Sequence, residues 1–338
     1  MTAASAHRRA VFTGTLYALA AGLMWGLVFI VPTLLAEYSA ALLTVGRYLA
    51  FGLIALPLAW WDRARLADLT RADWLEALKL SAVGNLLYYL CLAAAIQHAG
   101  GPLPTMIIGT LPVVIAITSN LRGSASVRAR DGHLPWARLA PSLLLIGAGI
   151  ACVNQAEMQH LRSSGSINFG RYAVGALLAL AAVACWTWYP IRNADWLRAH
   201  KDRSASTWAT AQGVATLPLA LLGYALLWGW TAWQGAGPAS AQAVEMPFGP
   251  RPLVFLGLML TIALFASWLG TLCWNEASQR LPPALAGQLI VFETLAALAY
   301  AFALRAQAPQ PLTLAGVALL MAGVVMALRG GRPTPHPV

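Results

Sequence analysis

Residues Gly14–Pro32 read GTLYALAAGLMWGLVFIVP, about 19 apolar residues without a charge and so enough to cross a bilayer as a helix. The start of this stretch returns later in the chain. Gly14–Trp25 reads GTLYALAAGLMW, and Gly175–Trp186 reads GALLALAAVACW. Seven of the 12 positions are identical at one offset, 175 − 14 = 161, and each copy ends in a tryptophan. The same offset pairs Leu56-Pro57-Leu58-Ala59 with Leu217-Pro218-Leu219-Ala220. At offset 182, Leu90-Cys91, Ala95 and Gln97 pair with Leu272-Cys273, Ala277 and Gln279; at offset 175, Leu139-Ala140 and Leu144-Leu145 pair with Leu314-Ala315 and Leu319-Leu320. The step from 161 to 182 requires 21 extra residues in the second half, which Trp230–Pro252 accommodates as a Gly- and Pro-containing loop.

Composition agrees with a membrane chain. Of 338 residues, 59% are hydrophobic and 10% are charged, where soluble domains carry about 25% charged residues. The net charge of +10 would suit nucleic acid, but the cations lie in short clusters between apolar runs. That distribution is expected of membrane loops and predicts no nucleic-acid partner. Cys91, Cys152, Cys185 and Cys273 all lie inside apolar segments without zinc or redox spacing. His7-Arg8-Arg9 followed by an apolar run imitates a signal peptide, but the run is too long and its copy lies within the chain.

Ten apolar segments of spanning length are predicted: Gly14–Leu35, Ala41–Trp60, Trp74–Gln97, Leu103–Leu121, Leu139–Val153, Tyr172–Tyr189, Ser206–Trp230, Leu253–Ala277, Ala284–Leu304 and Leu312–Leu328. In lipid their backbones must bond internally, so all are expected to be helices. With the N-terminus in the cytoplasm, 16 Lys and Arg residues fall on the inner side and four (Arg162, Arg171, Arg251, Arg305) on the outer, which predicts cytoplasmic N- and C-termini. The halves meet in a polar loop near Gln155–Gly170, which contains Arg162-Ser163-Ser164-Gly165-Ser166. An odd helix count inverts the second copy. The expected fold is therefore an all-α polytopic membrane protein of ten transmembrane helices, arranged as two inverted five-helix repeats (1–160 and 161–338) around a central cavity. The tail Arg332–Val338 is Pro-rich and reads as disordered.

Several short motifs resemble one family. Ala21-Gly22-Leu23-Met24-Trp25-Gly26, Arg47-Tyr48-Leu49, Thr110-Leu111-Pro112-Val113 and the Gly-rich Leu314–Val325 are similar to the EamA-type ten-helix branch of the drug/metabolite transporter superfamily. Within it, the chain most resembles YddG-type exporters of aromatic amino acids. The resemblance implies export of aromatic and other neutral amino acids across the inner membrane by alternating access. One departure stands out: the counterpart of Leu111-Pro112-Val113 is Glu293-Thr294-Leu295, which lacks the proline.

No catalytic triad, metal pair or phosphate-cradling loop appears, so no enzyme, cofactor or metal is expected. The candidate residues are those of a binding cavity. Trp25 and Trp186 hold equivalent positions about 11 residues into their helices, deeper than an interfacial belt, and read as aromatic walls or as helix packing. Asn85 with Tyr88 or Tyr89, and Trp268 with Thr271 and Asn275, place amides and rings on single faces of the third and eighth helices, which suits an aromatic zwitterion or interhelical bonding. Gln97 and Gln279 are repeat-equivalent and read first as helix caps.

Arg47 and Glu293 are charges inside helices, each costing about 2.5–3.5 kcal/mol at mid-membrane and therefore expected to face a cavity or partner. Arg47 reads as structural or gating. Glu293 could bind a substrate ammonium, carry a coupling proton or pair with a neighbouring helix. Pro112, with Pro32, Pro57, Pro190 and Pro218, permits kinks that shape a basket of helices. A small aromatic or cationic drug exporter is the alternative within the class, and a non-transporting sensor or assembly subunit the alternative outside it. The remaining expectations are a monomer and a lipid bilayer as its surroundings.

Overall fold

The computed structural model describes residues 3–100, 102–121, 136–163, 169–235, 246–281, 283–305 and 309–330. Residues 164–168 of the expected junction, 236–245 of the expected extra loop and the tail from 331 lie outside the described residues. Among those described, the chain is helical with no strand. The helices are α1 (Ala3–Gly26), α2 (Ala40–Trp61), α3 (Arg71–Ala99), α4 (Pro102–Ile108, then Leu111–Leu121), α5 (Trp136–Ser163), α6 (Phe169–Ala199), α7 (Ala205–Gly235), α8 (Pro252–Arg280), α9 (Pro283–Leu289, then Val291–Arg305) and α10 (Pro311–Gly330).

Six stretches are long and apolar enough to cross a membrane: Arg8–Leu34, α2, α3, Gly170–Ala199, Ala205–Trp233 and α8. Shorter apolar stretches lie in α5, α9 and α10, and α4 is broken at Gly109–Thr110. Large apolar side chains such as Leu144, Leu177, Leu226 and Leu253 point outward, while Arg47, Asn193, Gln212, Asn275 and Glu293 are buried. Exposed apolar surface on this scale requires an apolar surrounding.

Several boundaries differ from the sequence reading: α1 begins at Ala3 and α6 runs on past Tyr189 to Ala199, and two further extensions fall in expected loops. The polar stretch from Gln155 was expected as a loop, but α5 runs on through Ser163. Residues 150–163 contain neither Gly nor Pro, so nothing in them stops a helix. Likewise α7 continues past Trp230 to Gly235.

The packing has a regular pattern. α2 packs against α7, and α5 against α10. α1 lies against α8 and α9, as α6 lies against α3 and α4. Small residues allow the close approaches. A Cβ built on Gly149 would lie 2.6 Å from the Gly316 carbonyl oxygen, and one on Gly26 would lie 2.7 Å from the Ala296 Cβ.

Two wide-turn segments interrupt otherwise regular helices. Ser81–Leu87 in α3 and Ala263–Leu269 in α8 are both π-helical. Their separation, 263 − 81 = 182, equals the offset at which these two helices match in sequence. Such segments are rare and concentrate at functional sites.

Candidate functional site

The two π segments both contribute to the lining of one small buried cavity. It is lined by Trp25 and Val28 from the first helical stretch, Arg47 and Tyr48 from α2, and Gly84, Asn85 and Tyr88 from α3. Trp186 of α6, Ala266, Ser267 and Thr271 of α8, and Glu293 of α9 complete it. Its free volume is about 10 Å³, close to the space of one water molecule. Both halves of the chain contribute walls.

Aromatic rings fill the centre. Trp25 meets Trp186 edge-on at 5.0 Å and Trp274 at 5.3 Å. Trp186 is stacked between Tyr88 at 4.7 Å and Tyr189 at 4.8 Å. The Trp25 Nε1–H donates to the Ala266 carbonyl at 2.9 Å, which ties α1 to the π segment of α8. The stack depends on Gly84, because a Cβ there would lie 2.1 Å from the Tyr189 ring. Ser81 donates from Oγ to the Gln212 carbonyl at 3.0 Å, which anchors the π segment of α3 to α7.

The two charges stand within these rings. The Arg47 Nε–H donates to Ser267 Oγ at 3.0 Å, and its guanidinium lies 4.5 Å over the Tyr89 ring and 5.0 Å from that of Tyr48. Desolvated cation–π contacts of this kind contribute about 2 kcal/mol. Glu293 Oε1 accepts from the Tyr88 hydroxyl at 3.5 Å.

The sequence candidates therefore separate. Trp25, Trp186, Asn85, Tyr88, Thr271, Arg47 and Glu293 meet at the cavity. Tyr89 lies behind Arg47, outside the lining. Trp268 is outside it too, donating from Nε1 to Thr210 Oγ1 at 3.4 Å. Asn275 belongs to a layer beyond the cavity, where its Oδ1 accepts from Asn193 Nδ2 at 2.8 Å. Pro112 is the second residue of the second piece of α4, after the break at Gly109–Thr110. Tyr48, Gly84, Tyr189, Ser267 and Trp274 were not singled out from sequence. Tyr48 could have been, since it adjoins Arg47 in a quoted motif. The others have no local signal.

Two further clusters join the halves of the chain, one at each end of α2 and α3. At one end Tyr38 stacks on Phe255 at 5.0 Å and 2°. There Arg251 donates to Glu37 by its guanidinium, to the Leu34 carbonyl from Nη2 at 2.8 Å, and to Tyr38 Oη from its backbone N–H at 2.8 Å. Gln97 joins this end to α2, accepting from the Ala40 N–H at 3.1 Å and donating to the Tyr38 carbonyl at 2.5 Å. At the other end Trp196 stacks on Trp208 at 3.5 Å and donates from Nε1 to Asp73 Oδ1 at 2.9 Å. Arg192 grips Glu76 with two bonds, of 2.6 and 3.3 Å. Asn193 Oδ1 accepts from Trp208 Nε1 at 2.8 Å and from Gln212 Nε2 at 3.1 Å. Gln279, the counterpart of Gln97, donates to the Arg203 carbonyl at 3.3 Å.

The cavity takes walls from both halves of the chain, and a separate cluster ties the halves together at each end of the helices. Residues 12–130 match the model of the EamA-like transporter family. The inner membrane protein YtfF of Escherichia coli (strain K12) is 53% identical over 325 residues, which covers 96% of this chain and 98% of that protein. A solved crystal structure superposes with a TM-score of 0.64 at 16% identity, covering 93% of this chain and 96% of the other, a likeness of fold alone. The chain belongs to the EamA-like transporter family of the drug/metabolite transporter superfamily.

Proposed function

We propose that this chain exports aromatic and other neutral amino acids across the inner membrane by alternating access, as a monomer of ten membrane-spanning helices. In this reading 1–160 and 161–338 are inverted repeats, and both termini are cytoplasmic. The Glu37–Arg251 cluster is then the outward seal and the Asp73–Trp196 cluster the cytoplasmic seal. The observation that carries the proposal is the buried cavity walled by both halves, with a different cluster joining the halves at each end. A carrier must pass through such an occluded state.

Three features support the finer parts. The packing repeats under exchange of mates: α2 with α7 and α5 with α10 pair directly, and α1 against α8 and α9 matches α6 against α3 and α4, as a two-fold axis in the membrane plane would give. The rings of Trp25, Tyr88 and Trp186 offer stacking surfaces for an aromatic side chain. Arg47 beside the same cavity opposes a purely cationic drug, which Glu293 alone would attract. The name of the E. coli relative supports the inner membrane as the location.

The test is exchange in proteoliposomes. Vesicles loaded with unlabelled tryptophan take up labelled phenylalanine, threonine or a small quaternary cation. The amino acids are expected to enter, and Trp25→Ala should slow them at least tenfold while the protein stays folded. Uptake of the cation alone would move the protein to the drug-export reading.

A further inference from the structure

We infer that the cavity divides its charge between Arg47 and Glu293, so that, once a seal opens, it takes one molecule bearing both an ammonium and a carboxylate, with the ammonium on Glu293 and the carboxylate on Arg47. The inference rests on the amino-acid reading above and assigns the head-group contacts within it.

Arg47 and Glu293 come from different halves, α2 and α9, and both line the same cavity. They are 4% and 2% exposed. Burial of a charge is costly unless it is paired and hydrogen-bonded, and removing water raises that cost further. Yet Arg47 Nη1 has no partner, and neither does Glu293 Oε2. Other atoms of both groups are held by the protein: Arg47 Nε by Ser267, the guanidinium face by two tyrosine rings, and Glu293 Oε1 by Tyr88. Two opposite charges in one low-dielectric space attract strongly. Here they do not close into an ion pair with each other.

That arrangement leaves the Arg47 Nη1 and Trp186 Nε1 donors and the Glu293 Oε2 acceptor without partners around one cavity with space for about one water. A water satisfies Arg47 Nη1 and Glu293 Oε2 weakly. A zwitterion meets each with an opposite full charge, an attraction that is strong in a desolvated site. A simple amine would satisfy Glu293 and be repelled by Arg47, and a simple carboxylate would meet the reverse. Asn85, Ser267 and Thr271 add neutral hydrogen-bonding groups that suit either end. The cavity in its closed form is too small for an aromatic side chain, so the substrate ring takes volume now held by the tryptophan and tyrosine stack once a seal opens.

The experiment uses the full chain in proteoliposomes and three unlabelled competitors for labelled phenylalanine: phenylalanine, 2-phenylethylamine and 3-phenylpropanoate. The three share a ring and differ in head-group charge. In the wild type, phenylalanine should compete at least tenfold better than either analogue. Glu293→Gln should then shift the ratio of the analogues at least tenfold toward 3-phenylpropanoate, and Arg47→Gln at least tenfold toward 2-phenylethylamine. A role confined to holding helices together would not produce shifts of opposite sign. If either analogue matches phenylalanine in the wild type, or if both variants shift the same way or not at all, the inference fails while export stands. If a variant does not fold, the wild-type comparison decides. If labelled phenylalanine is not exchanged, calorimetric binding of the same three compounds separates the two ideas. Binding of phenylalanine alone keeps the charge division and removes export. Binding of none removes both.

Discussion

The two seals join the halves of the chain with different materials. At the Glu37 end the contacts gather at helix ends and in the chain between them: Leu34, Glu37 and Tyr38 on one side, Gly249 and Arg251 on the other. The Arg251 and Glu37 side chains are 47% and 37% exposed. At the Asp73 end the contacts run between helix interiors. Asn193 of α6, Gln212 of α7 and Asn275 of α8 are all fully buried, and their amides bond to one another. Water can replace what is lost when the first seal parts. It cannot reach the second until that seal is already open. In the alternating-access reading proposed above, the comparison predicts that the first seal parts at the lower cost.

The largest effect expected is from Asn193→Leu. It leaves Trp208 Nε1, the Gln212 amide and the Asn275 carbonyl without their shared partner, and each buried orphan costs about 1–3 kcal/mol. Thermal unfolding in detergent should show a loss of about 3 kcal/mol or more, with thiol labelling of a cysteine placed at the Asp73 end rising sharply. Unchanged stability would erase the distinction between the seals.

A smaller effect is expected from Gly249→Ala. Gly249 has φ +72°, and a Cβ there would lie 2.2 Å from the Tyr38 ring. Left-handed backbone in a residue with a side chain costs about 1–3 kcal/mol, and the ring must also move. The variant should label faster at the Glu37 end and keep the wild-type rate at the Asp73 end. Equal acceleration at both ends would mean that the seals are coupled.

The smallest effect is from Arg251→Gln, which removes a half-exposed ion pair worth about 0.2–1 kcal/mol. It should alter exchange rate more than melting temperature. Acidification should act alike. The Glu37 carboxyl is held below its ordinary value of 4.5, first by its own backbone hydrogen bond and then by Arg251. A lowered folded-state value stabilises the closed seal above pH 4.5, and that stability is lost as pH falls through the lower value. Labelling at the Glu37 end should therefore rise below about pH 4.5 in the wild type and change less in Arg251→Gln.

Some of this was legible in sequence because it follows from repetition or from helical period. The matched tryptophans Trp25 and Trp186 do meet, and Gln97 and Gln279 both bond backbone carbonyls where helices begin. Membrane helices are visible as apolar length. The rest depends on partners far apart in the chain. Gly84 reads as an ordinary helical glycine until the Tyr189 ring lies across it. Nothing near Asn193 predicts that its carbonyl will serve both Trp208 and Gln212, since that choice is made by how α6 and α7 cross. The π segments are likewise set by tertiary contacts, with Ser81 bonded to α7 and Ala266 accepting from Trp25.

Those π segments have a mechanical consequence. A helix carrying one holds an extra residue in its spiral, so the pieces on either side are out of phase by roughly a residue's rotation, about 100°. It resembles a shaft with a coupling in its middle. Pro252–Ile262 can be fitted to the lipid and to α2 without turning Gly270–Arg280, which must keep its own face toward α1 and α7. α3 is divided in the same way at Ser81–Leu87. Each helix can thus be tuned at one end while the cavity residues at its centre, Asn85 or Ser267, keep their aim.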